Sequence, residues 1–378
     1  MSEHLQFRPT KAIINLSAIQ NNIKNLRKHL HSSVDIMAVV KANAYGHGDV
    51  QVAQAALAAG ATMLAVATPE EALHLRDFIK GTPILILGAV PVNFAPYAAN
   101  AHIILTVFSA DWIHEVALHS KEFGSPLKVH IKVDSGMGRI GVRTEKELKA
   151  VYDAAIMANN IEVDGIFTHF ATADEESTKQ YDHQLAIFKE LVASLPEKPH
   201  LVHAANTAAS LVKEGVQFDA IRFGISMYGL SPSSFVENHL PFPLETALTL
   251  ESELVHVKKI EKGDRVSYGG TYVAEQDEWI GTIPVGYADG VIRGLSGQEV
   301  LIDGKRAPIV GRICMDQLMI RLPREMAIGE KVILIGKQQQ DEIRAQEWAD
   351  RLHTIVYEIP CMLSSRIPRV YPTLTKEQ

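Results

Sequence analysis

Among the side chains able to do acid–base or nucleophilic chemistry, a few follow directly on short apolar runs. Lys41 follows Ile36–Val40. Lys132 and Asp134 close Leu127–Val133, and His169 follows Val163–Thr168. Asn206 comes two residues after Leu201–Ala204, and Arg222 with Gly224 closes Ala220–Phe223. A lysine at the mouth of an apolar enclosure is partly desolvated, which favours the neutral, nucleophilic amine. From position alone, a strand-end lysine reaching solvent is the ordinary alternative. His169 is one of 16 histidines, so by itself it reads equally as a packed structural residue. A buried Arg222 must be paired or hydrogen-bonded, for structure or for function. Asn206-Thr207 and Gly224-Ile225-Ser226 offer backbone N–H groups at turn openings, suited to a phosphate or to ordinary caps. Asp134-Ser135-Gly136-Met137-Gly138-Arg139 is a glycine-rich turn without the ending of a nucleotide P-loop. No His/Cys/carboxylate spacing suits a metal, and no nucleophile-elbow serine is present.

What would bring these residues together is a closed barrel. Eight short apolar runs alternate with amphipathic stretches: the five named above, with Met63–Ala67, Ile84–Leu87 and Ile103–Val107. Continuous apolar runs of this length are parallel strands buried on both faces, and eight of them predict a (β/α)8 TIM-type barrel. Such barrels carry chemistry at the C-terminal strand ends, where the polar residues lie. Ser17 with Gln20, Thr68 with Glu71 and Thr144 with Glu147 each fit a helix-opening capping box, and Pro69 suits a first helical position. Gly60, Gly81, Gly124 and Gly215 follow helical stretches as stops. Leu230–Pro243 reads as a linker. Beyond it the pattern becomes β, at Ser252–Lys259, Arg265–Tyr268, Trp279–Val285, Glu299–Ile302, Ala307–Arg312, Leu318–Leu322 and Lys331–Ile335. Asp303-Gly304 marks a hairpin turn, and a helix is expected near Ala345–Ile355. The expected organisation is a barrel over residues 1–243 and a mostly antiparallel β domain over 244–378.

The bulk composition narrows the partners. The 378 residues are 47% hydrophobic and 21% charged, a globular balance, and the formal charge of −7 argues against nucleic acid. No segment has the apolar length to span a bilayer, and the polar start lacks a signal core. Two cysteines, Cys314 and Cys361, fit a reducing, cytoplasmic compartment.

Nine segments carry a resemblance across essentially the whole chain: AVVKANAYGHG, HIKVDSGMGRIG, FTHFATAD, HAANTAAS, RFGISMYG, VSYGGTY, IPVGYADG, VGRICMDQ and YEIPC. In this order they resemble the pyridoxal-phosphate-dependent alanine racemases of fold type III. The resemblance implies that Lys41 forms a Schiff base with pyridoxal 5'-phosphate and acts as one of two catalytic bases, with Tyr268 opposite. It implies that Arg222 meets the pyridine nitrogen and that His169 bridges Arg222 to Tyr268. Arg139 would hold the ring oxygen and the substrate carboxylate. Lys132 would be an N6-carboxylysine that positions Arg139. Tyr45, Thr207, Gly224, Ile225 and Tyr357 would surround the phosphate, and Leu87 and Asn206 would complete the cofactor site. Met315, Asp316 and Tyr287 would border the substrate, in a homodimer with shared active sites. The implied reaction interconverts L- and D-alanine, supplying D-alanine for peptidoglycan. Position 207 is threonine where many members have serine, and both supply a hydroxyl. The readings set beside this one are a racemase of broader substrate range, a decarboxylase of the same architecture, and a non-catalytic cofactor carrier.

Overall fold

The computed structural model describes residues 6–372, so the first few residues of the polar start lie outside the described part. All eight expected runs form parallel strands: β2 (Asp35–Val39), β3 (Met63–Val66), β4 (Ile84–Ile86), β5 (Ile103–Val107), β6 (Leu127–Lys132), β7 (Ile161–Phe167), β8 (Leu201–His203) and β9 (Ala220–Phe223). They close into one barrel, β9 pairing back onto β2. Almost every residue in them is buried, which is why each reads as a continuous apolar run.

The helices open largely as the sequence dictates. Thr68 and Thr144 accept from the backbone N–H of Glu71 and Glu147, whose carboxylates reach back to complete both capping boxes. The helix Leu16–His29 begins one residue before Ser17, placing Ser17 inside its first turn and not at the position before it. The stretch 230–243 is not structureless. It contains the short helix Ser234–Asn238, capped by Ser233 and seated on a buried Val236.

The chain divides into two compact units, residues 17–246 and residues 1–16 with 247–378. The N-terminal segment thus belongs with the β unit and not with the barrel, because Lys11–Ile14 forms a strand, β1, of its sheet. The other strands of that unit are β10 (Leu248–Glu253), β11 (His256–Ile260), β12 (Arg265–Val266), β13 (Tyr272–Val273) and β14 (Glu278–Ile283). They are followed by β15 (Glu299–Ile302), β16 (Lys305–Val310), β17 (Leu318–Leu322), β18 (Lys331–Gln338), β19 (Asp341–Ile343) and β20 (Arg369–Val370). The large sheet runs β11-β14-β17-β16-β15-β18-β10-β1-β20, with β19 on β18, and β12 pairs with β13. Among the described residues of this unit β1 pairs with β20 in parallel and the other pairs are antiparallel. Asp303 and Gly304, both at positive φ, turn β15 into β16 as expected. The single run expected over Ser252–Lys259 is two strands, β10 and β11, interrupted at Leu254-Val255. Extended pairing at Arg265–Tyr268 stops at Val266, since Ser267 takes φ 67° and a tight turn succeeds it. The helix near the end spans Ala345–Leu352.

Candidate active site

The interior of the barrel is not the purely branched apolar packing usual for this architecture. His130, Lys132, Thr168, His203 and Arg222 are all buried in it or at its mouth. Arg222, on β9, is 3% exposed, so each of its donors needs an acceptor. Its Nη2 donates to the carbonyls of Thr168 (2.8 Å) and Ala204 (2.9 Å) and reaches His169 Nδ1 at 3.3 Å. Its Nη1 donates to His203 Nδ1 at 2.7 Å. Burial, followed by the Arg139 charge, lowers its pKa to about 9, so it is cationic at neutral pH.

His169 stands among cations. Burial, then Arg222, Lys132, Arg139 and Lys41 in turn, push its pKa well below the ordinary value. It is therefore a neutral imidazole, and because Arg222 can only donate, His169 Nδ1 accepts and its proton sits on Nε2. Lys132 is 2% exposed; its Nζ donates to the Val133 carbonyl at 3.2 Å and lies 4.9 Å over the Phe167 ring. Burial first, then Arg222 and Arg139, lower its pKa to about 6. Pairing with Asp134, the plain structural alternative, is not what that carboxylate does: it accepts from the backbone N–H groups of Gly136 (3.1 Å) and Gly138 (2.9 Å). The turn so fixed ends in Arg139, which is exposed.

Lys41 is half-buried at the C-terminal end of β2. The backbone beyond it is unusual. Ala42, Asn43, Ala44 and Tyr45 are all left-handed, with φ between 51° and 53°. Each such non-glycine residue costs about 1–2 kcal/mol, so the turn persists only because its surroundings hold it. Glu71 Oε1 accepts from Ala42 N–H at 2.6 Å, and Asn43 Oδ1 accepts from Asp49 N–H. Beneath it, Tyr228 packs on Tyr45 and on His47, with ring centroids 5.0 and 4.5 Å away, and donates its hydroxyl hydrogen to the Val39 carbonyl.

The turn aims the Tyr45 hydroxyl at Gly224. A Cβ on Gly224 would lie 2.9 Å from that hydroxyl and 3.5 Å from Thr207 Oγ1, so only glycine leaves the space open. Thr207 Oγ1 accepts from Gly224 N–H at 2.8 Å, and Asn206 caps the helix Thr207–Val212 through Ala209 N–H. Tyr45, Thr207, Gly224 and the adjoining Ile225 thus border one polar niche between the ends of β2, β8 and β9, of a chemistry that fits a phosphate. Leu87 succeeds β4, half-buried at the same end of the barrel.

The remaining predicted residues lie in the β unit. Tyr268, 70% exposed, shares a groove of about 660 Å³ with Arg265, Cys314, Met315 and Asp316. Tyr287 is tied to the same turn by its N–H to the Cys314 carbonyl (3.0 Å). Asp316 accepts from Arg366 at 2.7 Å. Tyr357 is half-buried just before the helix Glu358–Met362. The predicted residues therefore form two groups, one on each unit. His203, His130, His47 and Tyr228 carry the support of the barrel group and are not conspicuous in the sequence. An inward-facing strand histidine looks the same there as any other.

The chain matches two family descriptions, "Alanine racemase, N-terminal domain" over residues 14–232 and "Alanine racemase, C-terminal domain" over residues 247–371. It is 52% identical over 374 residues to Alanine racemase 1 of Bacillus subtilis, covering 98% of this chain and 95% of that one. A crystal structure of alanine racemase from Bacillus anthracis with bound L-Ala-P superposes with a TM-score of 0.94 at 47% identity, covering 98% and 97% of the two chains. A histidine racemase from Leuconostoc mesenteroides subsp. sake has the same architecture, with a TM-score of 0.91 at 32% identity over 98% and 99% of the chains. With both domain descriptions matched and half the residues identical over nearly the full length, the chain belongs to the alanine racemase family.

Proposed function

We propose that this enzyme interconverts L- and D-alanine in the cytoplasm with pyridoxal 5'-phosphate as cofactor, as a homodimer whose sites are completed across subunits. Full-length identity to an alanine racemase carries the choice of substrate, and the barrel mouth supports the choice of cofactor. A half-buried lysine after β2, a polar niche bordered by Tyr45, Thr207 and Gly224, and a buried arginine on β9 converge there. Among the described residues no helix is long and apolar enough to cross a membrane.

Lys41 would anchor the cofactor through Nζ. Tyr45, Thr207, Gly224 and Ile225 would bind its phosphate, joined by Tyr357, and Arg222 would face its ring nitrogen. Leu87 and Asn206 would border it, and Arg139 would meet its ring oxygen. When bound, pyridoxal phosphate supplies an electron sink that acidifies the substrate α-carbon. The protein then moves protons. Lys41 Nζ takes the α-proton on one face, and the Tyr268 hydroxyl of the partner subunit delivers one on the other. His169, with its proton on Nε2, can donate toward that tyrosine while Arg222 holds its Nδ1. Arg139 would orient the substrate carboxylate, with the carbamate of Lys132 beside it. Met315, Asp316 and Tyr287 would border the substrate. Because arginine retains its proton, Arg222 would leave the ring nitrogen unprotonated and the sink weak, which would favour return of the proton over side reactions. Supply of D-alanine for peptidoglycan is the physiological role that goes with this family.

Incubation of the pyridoxal-phosphate-loaded enzyme with L-alanine should yield D-alanine, and the reverse, by chiral chromatography. Carbon dioxide with an amine product would instead sink the reading in favour of a decarboxylase. The histidine racemase of the same architecture favours one alternative, a wider side-chain range. Turnover of L-serine, L-lysine or L-histidine at a rate matching alanine would establish it.

A further inference from the structure

Arg222 is also held from below. Strands β6 and β8 are not neighbours in the barrel, yet His130 Nδ1 on β6 lies 3.0 Å from His203 Nε2 on β8, a contact that crosses the interior. His203 Nδ1 meets Arg222, and His130 Nε2 lies 3.4 Å from Asp164 Oδ2. Asp164 Oδ1 accepts from Lys128 Nζ at 2.8 Å. The two imidazoles are fully buried. Asp164 borders a cavity of about 930 Å³ at the N-terminal end of the barrel, together with Asp35, Met63, Ile103 and Lys128.

The protons in this chain can be placed without seeing them. Arginine is only a donor, so His203 Nδ1 must be bare and its proton sits on Nε2. That N–H points at His130 Nδ1, which must then be bare in turn. The proton of His130 is left on Nε2, facing the Asp164 carboxylate. Every donor along Arg222, His203, His130 and Asp164 thus points the same way. Burial keeps both rings neutral, opposed at His130 by Asp164 and reinforced at His203 by Arg222. Burial alone would raise the Asp164 carboxyl, but hydrogen bonds from His130 and Lys128 outweigh it and hold the group well below the usual range.

Two local departures in β7 build the seat of the His130 ring. Val129 pairs with Val163, but His130 pairs with Gly165, so Asp164 is the extra residue of a β-bulge. Bulges re-aim side chains. Next to it, a Cβ on Gly165 would lie 2.7–2.8 Å from three atoms of the His130 ring. The strand therefore turns a carboxylate toward one end of the imidazole and clears the space that the ring occupies. Branched apolar residues would fill a barrel at lower cost than two hydrogen-bonded imidazoles and a carboxylate.

We propose that His203, His130 and Asp164 are positioning residues for Arg222, forming a polarised chain through which a carboxylate at the barrel floor sets how firmly the guanidinium holds its protons at the mouth. The functional half rests on the reading in which Arg222 faces the cofactor ring nitrogen. The Asp164 charge makes each imidazole in turn a better acceptor, which leaves Arg222 a weaker donor toward the ring. Removing the charge should strengthen that donation, deepen the electron sink and favour transamination.

Nitrogen NMR of histidine-labelled, cofactor-free protein tests the chain itself. Bare Nδ1 and protonated Nε2 are expected on His130 and His203. A proton on Nδ1 of either ring overturns the proposal, whatever any variant does. Asp164→Asn keeps shape and an acceptor while removing charge. Its expected effects are shifted His203 resonances, one ring away from the change, and in the loaded enzyme a pyruvate-to-racemisation ratio raised roughly fivefold with alanine KM within about twofold. Unmoved His203 resonances in folded Asp164→Asn protein overturn the chain. Moved resonances with an unmoved ratio overturn its role in tuning the reaction. Absence of racemisation by the unaltered loaded enzyme would count against the proposed function instead, leaving the tautomer result standing.

Discussion

Lys132 shows how one residue's surroundings choose its chemistry. With its pKa lowered to about 6 by burial and by the Arg222 and Arg139 charges, the amine is mostly neutral at pH 7, the form that adds carbon dioxide. Addition forms an N–C bond, releases one proton and leaves a carbamate anion facing two arginines, so the same charges that disfavour the ammonium favour the product. Protein kept in 13C-bicarbonate should show a carbamate carbon resonance that Lys132→Ala lacks; its absence from the unaltered protein would refute the modification. Without carbon dioxide the residue works against the fold. Its folded pKa lies below the ordinary 10.5, so between pH 6 and 10.5 the unfolded chain binds the extra proton. This site's contribution to stability therefore rises with pH across that window and is poorest below it. Lys132→Met in carbon-dioxide-depleted protein should raise the pH 7 melting midpoint, relieving a penalty on the order of a few kcal/mol, while racemisation is lost. A lower midpoint would contradict this. The sequence exposes Lys132, Lys41 and Arg222 because a charged residue ending an apolar run is conspicuous. It hides His130 and His203, whose meaning lies in tautomers that Arg222 imposes across the barrel.

At the scale of elements, the left-handed turn after Lys41 is the strained part of the barrel group. Ala42 is exposed there, and glycine adopts its φ of 53° without penalty. Ala42→Gly should stabilise the cofactor-free protein by about 1 kcal/mol in denaturant melts and weaken pyridoxal phosphate binding, because the frame aiming the Tyr45 hydroxyl loosens. Destabilisation would show that the turn is not strained. Such a turn is invisible in the sequence, since Ala-Asn-Ala-Tyr carries no glycine to mark positive φ. The eight barrel strands were legible for the opposite reason: burial on both faces makes most of their residues apolar, the inward polar ones standing among them. In the β unit the broad pattern was legible but not its breaks. In Ser252–Lys259 the break falls on Leu254-Val255, strand-favouring residues, so the interruption between β10 and β11 does not register. Lys11–Ile14, four residues with alternating burial, is too short to announce a strand.

On the scale of the whole molecule, the proposed site draws on two chains. Lys41→Ala and Tyr268→Phe should each be nearly inactive alone. Mixed, denatured and refolded together, they should recover about one quarter of the unaltered activity, because half the dimers are mixed and each mixed dimer holds one intact site of two. No recovery, with mixed dimers confirmed by mass, would mean that each chain completes its own site. The β unit adds a constraint of another kind. Its strand β1 lies between β10 and β20, so a strand synthesised before the barrel is sandwiched by two made after it. On the ribosome, Lys11–Ile14 must wait with its backbone groups unpaired while residues 17–246 emerge and close upon themselves. Basic residues, Lys11 within it and Arg8 just before it, make that waiting strand a less inviting edge for other chains. The order of synthesis thus separates the two units in time: the barrel, which would bind the cofactor under the proposed function, can be finished before the unit that would complete another subunit's site has its first strand paired.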